Sequence, residues 1–115
     1  MIVLKPFKAI RPSEKFVSRV AALPYDVMDS QEAKNMAKDN PYSFLRVDRA
    51  EIDLEPDINP YDKRVYERAS ENLRSMIDDG VFIKDSKENL YIYKQIMDGR
   101  EQVGLVACVS VDDYI

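Results

Sequence analysis

The sequence predicts an α+β fold with a mixed or antiparallel sheet, two to three helices and a C-terminal β-hairpin. The runs Leu90 to Met97 and Arg100 to Val111 flank Asp98-Gly99, a dipeptide that supplies the positive φ angles of a tight hairpin turn. Val65, Tyr66, Ala69, Leu73, Met76 and Ile77 recur at three- and four-residue intervals, one apolar helical stripe. Strands and helices alternate irregularly along the chain and finish in the hairpin, the order expected of α+β rather than parallel α/β.

The elements follow in chain order. Ile2 to Ile10 is apolar and stops at Arg11-Pro12, which reads as a first strand. Ser13 is placed to cap a short helical turn reaching Val20. Pro24 disfavours a central strand over Val20 to Met28, so that stretch is expected at an edge or bent. Asp29-Ser30-Gln31-Glu32 is a capping box, opening a helix from about Ser30 to Lys38 that ends at Asp39-Asn40-Pro41. Tyr42 to Arg49 alternates, with Phe44, Arg46 and Asp48 opposite Ser43, Leu45, Val47 and Arg49, which predicts a strand. Residues 50–60 are acidic, carry Pro56 and Pro60, and read as an exposed loop. Asp62 caps the long helix, turning Glu67, Arg68, Glu71 and Arg74 outward, and Gly80 supplies its left-handed close. Val81 to Ile83 is a short strand.

At 115 residues the chain has the length of one domain, 1–115, with a single core. A net charge of -4 without a basic stripe disfavours nucleic acid, since affinity there rests on neutralising phosphates. Lys5, Lys8, Arg11, Lys15 and Arg19 cluster near the start but read as a solvated face. Histidine is absent, which removes Ser-His-Asp and Cys-His mechanisms and most zinc sites. The single cysteine, Cys108, lies in an apolar run and is expected in the core. No signal peptide and no bilayer-length apolar run is visible, so a cytoplasmic location without membrane contact is expected. Three glycines, Gly80, Gly99 and Gly104, cannot assemble a phosphate-binding loop. Ser110 to Ile115 reads as a strand arriving at an N-cap, so the chain is expected to be the N-terminal part of a longer protein.

Two proline-tyrosine segments concentrate polar side chains where proline fixes the backbone. In Pro24-Tyr25-Asp26, the carboxylate beside a tyrosine suits a base or a magnesium ligand, or simply a turn before the next helix. In Asn40-Pro41-Tyr42-Ser43, the amide, phenol and hydroxyl suit a ligand carbonyl or phosphate. Equally, Asn40 suits a left-handed helix close and Tyr42 a core edge. Arg46 and Asp48, two apart, suit a self-neutralising ion pair better than phosphate recognition. Tyr91 and Tyr93 suit cross-strand packing.

These segments carry a resemblance. Lys5-Pro6-Phe7, Ala9-Ile10-Arg11-Pro12, Ala21 to Met28, Asn40 to Leu45, Tyr91-Ile92-Tyr93 and Gly104 to Ala107 resemble, in this order, conserved bacterial and archaeal proteins containing a domain of unknown function, often labelled ParB-like. The resemblance implies the α+β N-terminal portion of a longer protein whose members continue with a His-Glu segment not present here. The label implies nucleotide or phosphate chemistry by fold-level analogy only.

The expected ligand is therefore a phosphorylated small molecule or nucleotide, with Mg2+ arriving beside it in the longer protein. Arg11 would contact phosphate, and Asp26, the candidate catalytic residue, would bind metal or act as base. Tyr25, Asn40, Tyr42 and Ser43 would complete the site. The rival expectation is a non-catalytic binding or assembly module in which these residues only form turns and caps, with DNA binding less favoured than either. Self-association through an exposed sheet edge is a further expectation.

Overall fold

A computed structural model of the chain describes residues 2–113. It is α+β, with a C-terminal hairpin and two small sheets. The chain forms two compact units, residues 1–11 with 84–115, and residues 12–83. The two short strands β1 (Ile10–Pro12) and β2 (Phe82–Lys84) pair with each other.

In the unit of residues 12–83, helix α1 (Val17–Val20) is capped by Phe16, and Ser13 supplies a carbonyl to Phe16 and Val17 instead of a side-chain cap. Ser13 was expected to cap this turn; its buried Oγ makes no hydrogen bond among the described residues, while its backbone N–H donates to the Val81 carbonyl at 2.9 Å. Residues 21–24 then run exposed into a 3₁₀ turn, Tyr25–Val27. Helix α2 (Ser30–Ala37) opens with the expected capping box, Glu32 N–H donating to Asp29 Oδ1 at 2.8 Å.

Tyr42 to Arg49 is not a strand. Helix α3 (Leu45–Asp48) occupies it, followed by a 3₁₀ turn at Ala50–Asp53. The apolar alternation has another cause: Leu45 enters the cluster of Met28, Ala33, Ala37 and Ile52, while Phe44 and Val47 face Val20, Met76, Val81 and Phe82. One helical turn wedged between two apolar clusters shows apolar residues on both sides, as a strand would. Nor is 50–60 an exposed loop throughout. Ala50, Glu51, Ile52 and Ile58 are buried, and Ala50 and Ile58 form a third cluster with Val65.

Helix α4 (Lys63–Asp78) matches its stripe, with Val65 and Met76 buried and Ala69 and Leu73 half-buried, capped by Asp62 accepting from Arg64 N–H. Tyr66 and Ile77 lie at the exposed margin of the stripe. Gly80 closes the helix with φ of 77°. No helix among the described residues is long and apolar enough to cross a membrane.

In the other unit, β3 (Tyr91–Met97) and β4 (Arg100–Val106) form the hairpin, from Tyr91 opposite Val106 to Met97 opposite Arg100. Asp98 and Gly99 take φ of 52° and 78°, as the turn requires. Below the hairpin, Lys5 bridges to Cys108 and Phe7 to Asn89. The long first strand expected over 2–10 is thus reduced to two bridges and β1. Cys108 is exposed, not in the core. Its backbone, not its side chain, is engaged, exchanging two hydrogen bonds with Lys5.

Candidate functional site

Chemistry-bearing side chains gather around Arg11 at the border of an open hollow. Its Nη2 donates to Asp85 Oδ1 at 2.9 Å, and its guanidinium carbon lies 5.6 Å from the centre of the Tyr91 ring. Tyr91 in turn accepts from Ala9 N–H at 2.9 Å and donates a short hydrogen bond to Asp85 Oδ2. Its ring also packs against Phe7 at 5.0 Å. The partners come from the first strand, the segment after β2 and the start of β3. Register on the hairpin fixes the tyrosine, and the Phe7–Asn89 bridge holds the N-terminal segment beside it.

Two charge-assisted bonds favour the ionised carboxylate, so Arg11 and then Tyr91 hold the Asp85 carboxyl below its usual range. The same pairing raises the Arg11 guanidinium above its usual value. Asp85 occupies one edge of the guanidinium, whose side chain remains 61% exposed. Arg11 and Asp85 border an open hollow of about 400 Å³ that Ser86, Lys87, Asn89 and Tyr91 also line. Asn89 Nδ2 donates to the Lys87 carbonyl at 3.1 Å and so steadies the loop that carries the lysine. An arginine oriented by Asp85 and a lysine around one hollow suit an anion that presents several oxygens.

The other site residues singled out from sequence belong to the unit of residues 12–83. Tyr25 and Asp26 stand on the exposed 3₁₀ turn, Tyr25 at 60% exposure. This turn is tied down from behind: Arg49 Nη1 donates to the Tyr25 carbonyl at 3.1 Å, and Nη2 to Ser30 Oγ at 3.0 Å. Glu51 is buried beside them, its Oε1 2.7 Å from Arg49 Nε and accepting from Ser30 Oγ at 3.0 Å.

Asn40, Tyr42 and Ser43 come together in a single turn between α2 and α3. Asn40 Nδ2 donates to the Arg19 carbonyl at 2.7 Å, and its Oδ1 accepts from Tyr42 N–H at 3.2 Å. Buried Ser43 accepts from Leu45 N–H at 3.3 Å. The Tyr42 ring sits between Phe16, at 5.1 Å, and the Arg19 guanidinium, at 4.7 Å. The Asn40 and Ser43 side chains are thus engaged in holding this turn, and Tyr42 contributes its backbone N–H and its ring. The left-handed residue at the close of α2 is Asp39, with φ of 63°, rather than Asn40.

Arg46 does not pair with Asp48. It donates to the carbonyls of Asn40 and Ala37, closing α2, and to Asp53 Oδ1 at 2.6 Å. Helical backbone turns Arg46 toward the end of α2, where carbonyls lack partners. Asp53 also accepts from Asn72 and Arg68, which ties α4 to the same centre.

Sequence reasoning named Arg11 but missed Asp85, Lys87 and Asn89. Tyr91 was visible only as strand packing. Asp85 lies 74 residues from Arg11, and nothing local marks the pair. Among the described residues, no three carboxylate or thiol side chains gather as a metal site would require.

A family model with the description "Protein of unknown function (DUF1015)" matches residues 4–115. No curated protein and no solved structure matches the chain.

Proposed function

The chain belongs to the DUF1015 family of proteins of unknown function, and we propose that it binds a phosphorylated small molecule or nucleotide through the hollow beside Arg11. The observation that supports this is the oriented guanidinium. Asp85 and the Tyr91 ring orient Arg11, which lines the hollow together with Lys87. A guanidinium held in this way offers its remaining N–H groups to a phosphate with less loss of side-chain freedom. Lys87 adds a second positive charge that offsets Asp85.

A magnesium ion held by the protein does not fit these residues. Asp26 stands as an exposed carboxylate on its turn, and among the described residues no three carboxylate or thiol side chains gather to share a cation. Arg11, Lys87 and Tyr91 bind and orient. Thermal denaturation with ATP, ADP, CTP and pyrophosphate, each with and without magnesium, tests the reading. A ligand at about a hundred times its Kd stabilises the chain by about 2.7 kcal/mol, a shift of several degrees. No response to any of the four overturns it.

A second reading, a binding or assembly module without chemistry, is favoured by a different observation. Ile92, Ile96, Val103 and Leu105 share one face of the hairpin and are all exposed, Ile92 at 76%. Apolar surface of that kind marks interaction sites. Sedimentation equilibrium across a hundredfold concentration range, with Ile92→Lys as control, tests it as self-association. An unchanging monomer contradicts that form of the reading.

A further inference from the structure

Along helix α2, in the unit of residues 12–83, two adjoining hollows of about 430 and 110 Å³ share Gln31, Lys34 and Ile52 in their walls. They make one continuous groove. Its wall is one face of α2, and its floor and far side come from the buried 3₁₀ turn at Ala50–Asp53 and the segment after it. We propose that this groove is a docking site for an extended acidic peptide segment of a partner protein. It is independent of the site beside Arg11, with which it shares no residue.

Three features lie in sequence along the groove. At the end nearest the start of α2, Ile52, Leu54, Pro56 and Ile58 line one side of a recess the size of one side chain, and Ser30, Gln31, Lys34 and Glu51 line the rest. In the middle, Gln31 Nε2 donates to Asn35 Oδ1 at 3.2 Å. That bond leaves Gln31 Oε1 and both Asn35 amide protons for a partner, an acceptor and a donor as one peptide group needs. At the far end stand Lys34, Lys38 and Arg46 against the single carboxylate of Asp39.

Charge selects the partner. Arg46 is already neutralised by Asp53, and Glu51 by Arg49. None of the ion pairs among the described residues involves Lys34 or Lys38. Two unpaired ammonium groups one helical turn apart locally favour an acidic segment and would repel a basic one. Length selects its form. Ser30 to Lys38 spans about 12 Å of helix, the reach of three to four extended residues. A small anion would use the lysines and leave the amide pair and the recess idle.

The test is an NMR titration of the isotope-labelled chain with the acetylated, amidated peptides Leu-Ala-Glu-Glu and Glu-Glu-Ala-Leu, with Leu-Ala-Lys-Lys as control. At least one acidic peptide is expected to shift the amides of Gln31, Lys34, Asn35, Lys38 and Ile52, and the lysine peptide none of them. Lys34→Glu with Lys38→Glu should weaken binding at least tenfold. Both lysines are exposed, and if the reversed pair fails to fold, Lys34→Gln with Lys38→Gln carries the same expectation at about threefold. No shifts at millimolar acidic peptide, equal binding of the lysine peptide, or complete displacement by inorganic phosphate with the same shift pattern would each overturn the proposal.

Discussion

Arg11 donates from Nη2 to Asp85 Oδ1 at 2.9 Å, and this bond orients the guanidinium at the hollow that Lys87 also lines. The carboxylate is itself held by Tyr91, which also receives the Ala9 N–H. Positioning of Arg11 therefore runs through a phenol on the hairpin.

Replacing Tyr91 by Phe removes that hydroxyl while keeping the ring. Ala9 N–H and Asp85 Oδ2 each lose a partner in a half-buried setting, which costs about 1–2 kcal/mol. Urea denaturation should show this loss, and ligand affinity should fall although Arg11 is untouched. Unchanged stability would mean that the hydrogen bonds around Tyr91 are replaced by water.

Asp85 sets an acid limit. Its folded pKa lies below the unfolded value of about 3.9, so its contribution to stability is fully present above pH about 4. It is lost as pH falls through the depressed folded value. An NMR titration of the carboxyl carbon should give a midpoint below the model-peptide one, and Arg11→Gln should bring it back up. A midpoint at or above about 3.9 in the native chain would contradict the pairing.

Arg49 is expected to hold the Tyr25–Asp26 turn in place. Arg49→Met leaves Glu51 buried without its cation, a change worth about 3 kcal/mol, at the low end for a broken buried pair because Arg49 is partly exposed. It also frees the Tyr25 carbonyl. Urea denaturation should report the lost stability, and limited proteolysis should cut between residues 21 and 28 sooner than in the native chain. Cleavage at an unchanged rate there would show that the turn does not depend on Arg49.

Local chemistry explains which parts of this fold were legible. The hairpin turn, the capping box at Asp29 and the long helix after Asp62 depend on residues a few positions apart and stand where sequence puts them, although β4 ends at Val106 and not at Val111. Tyr42 to Arg49 misled because period-two alternation is shared by a strand and by a helical turn caught between two clusters. The deciding contacts are long-range: Asn40 to the Arg19 carbonyl, 21 residues away, and Asn72 to the Arg46 carbonyl, 26 away. For the site, Arg11 was visible as a cation before a proline, but its partners Asp85 and Tyr91 are supplied by folding alone.

Cys108 offers a direct check on another expectation that the fold reverses. It follows β4 on the exposed surface, so Ellman's reagent should modify it in the native chain as fast as in urea, within a factor of a few. Protection by orders of magnitude would return Cys108 to a core.

The claim that Arg11 and Lys87 together hold a phosphate-bearing ligand is tested most directly by calorimetry. The nucleotide or pyrophosphate that gives the largest thermal shift is titrated into the native chain, Arg11→Gln and Lys87→Gln. The account predicts at least a tenfold loss of affinity for Arg11→Gln, a smaller loss for Lys87→Gln, and a salt dependence that weakens in both. Equal affinity in all three proteins would place the ligand elsewhere and contradict the account.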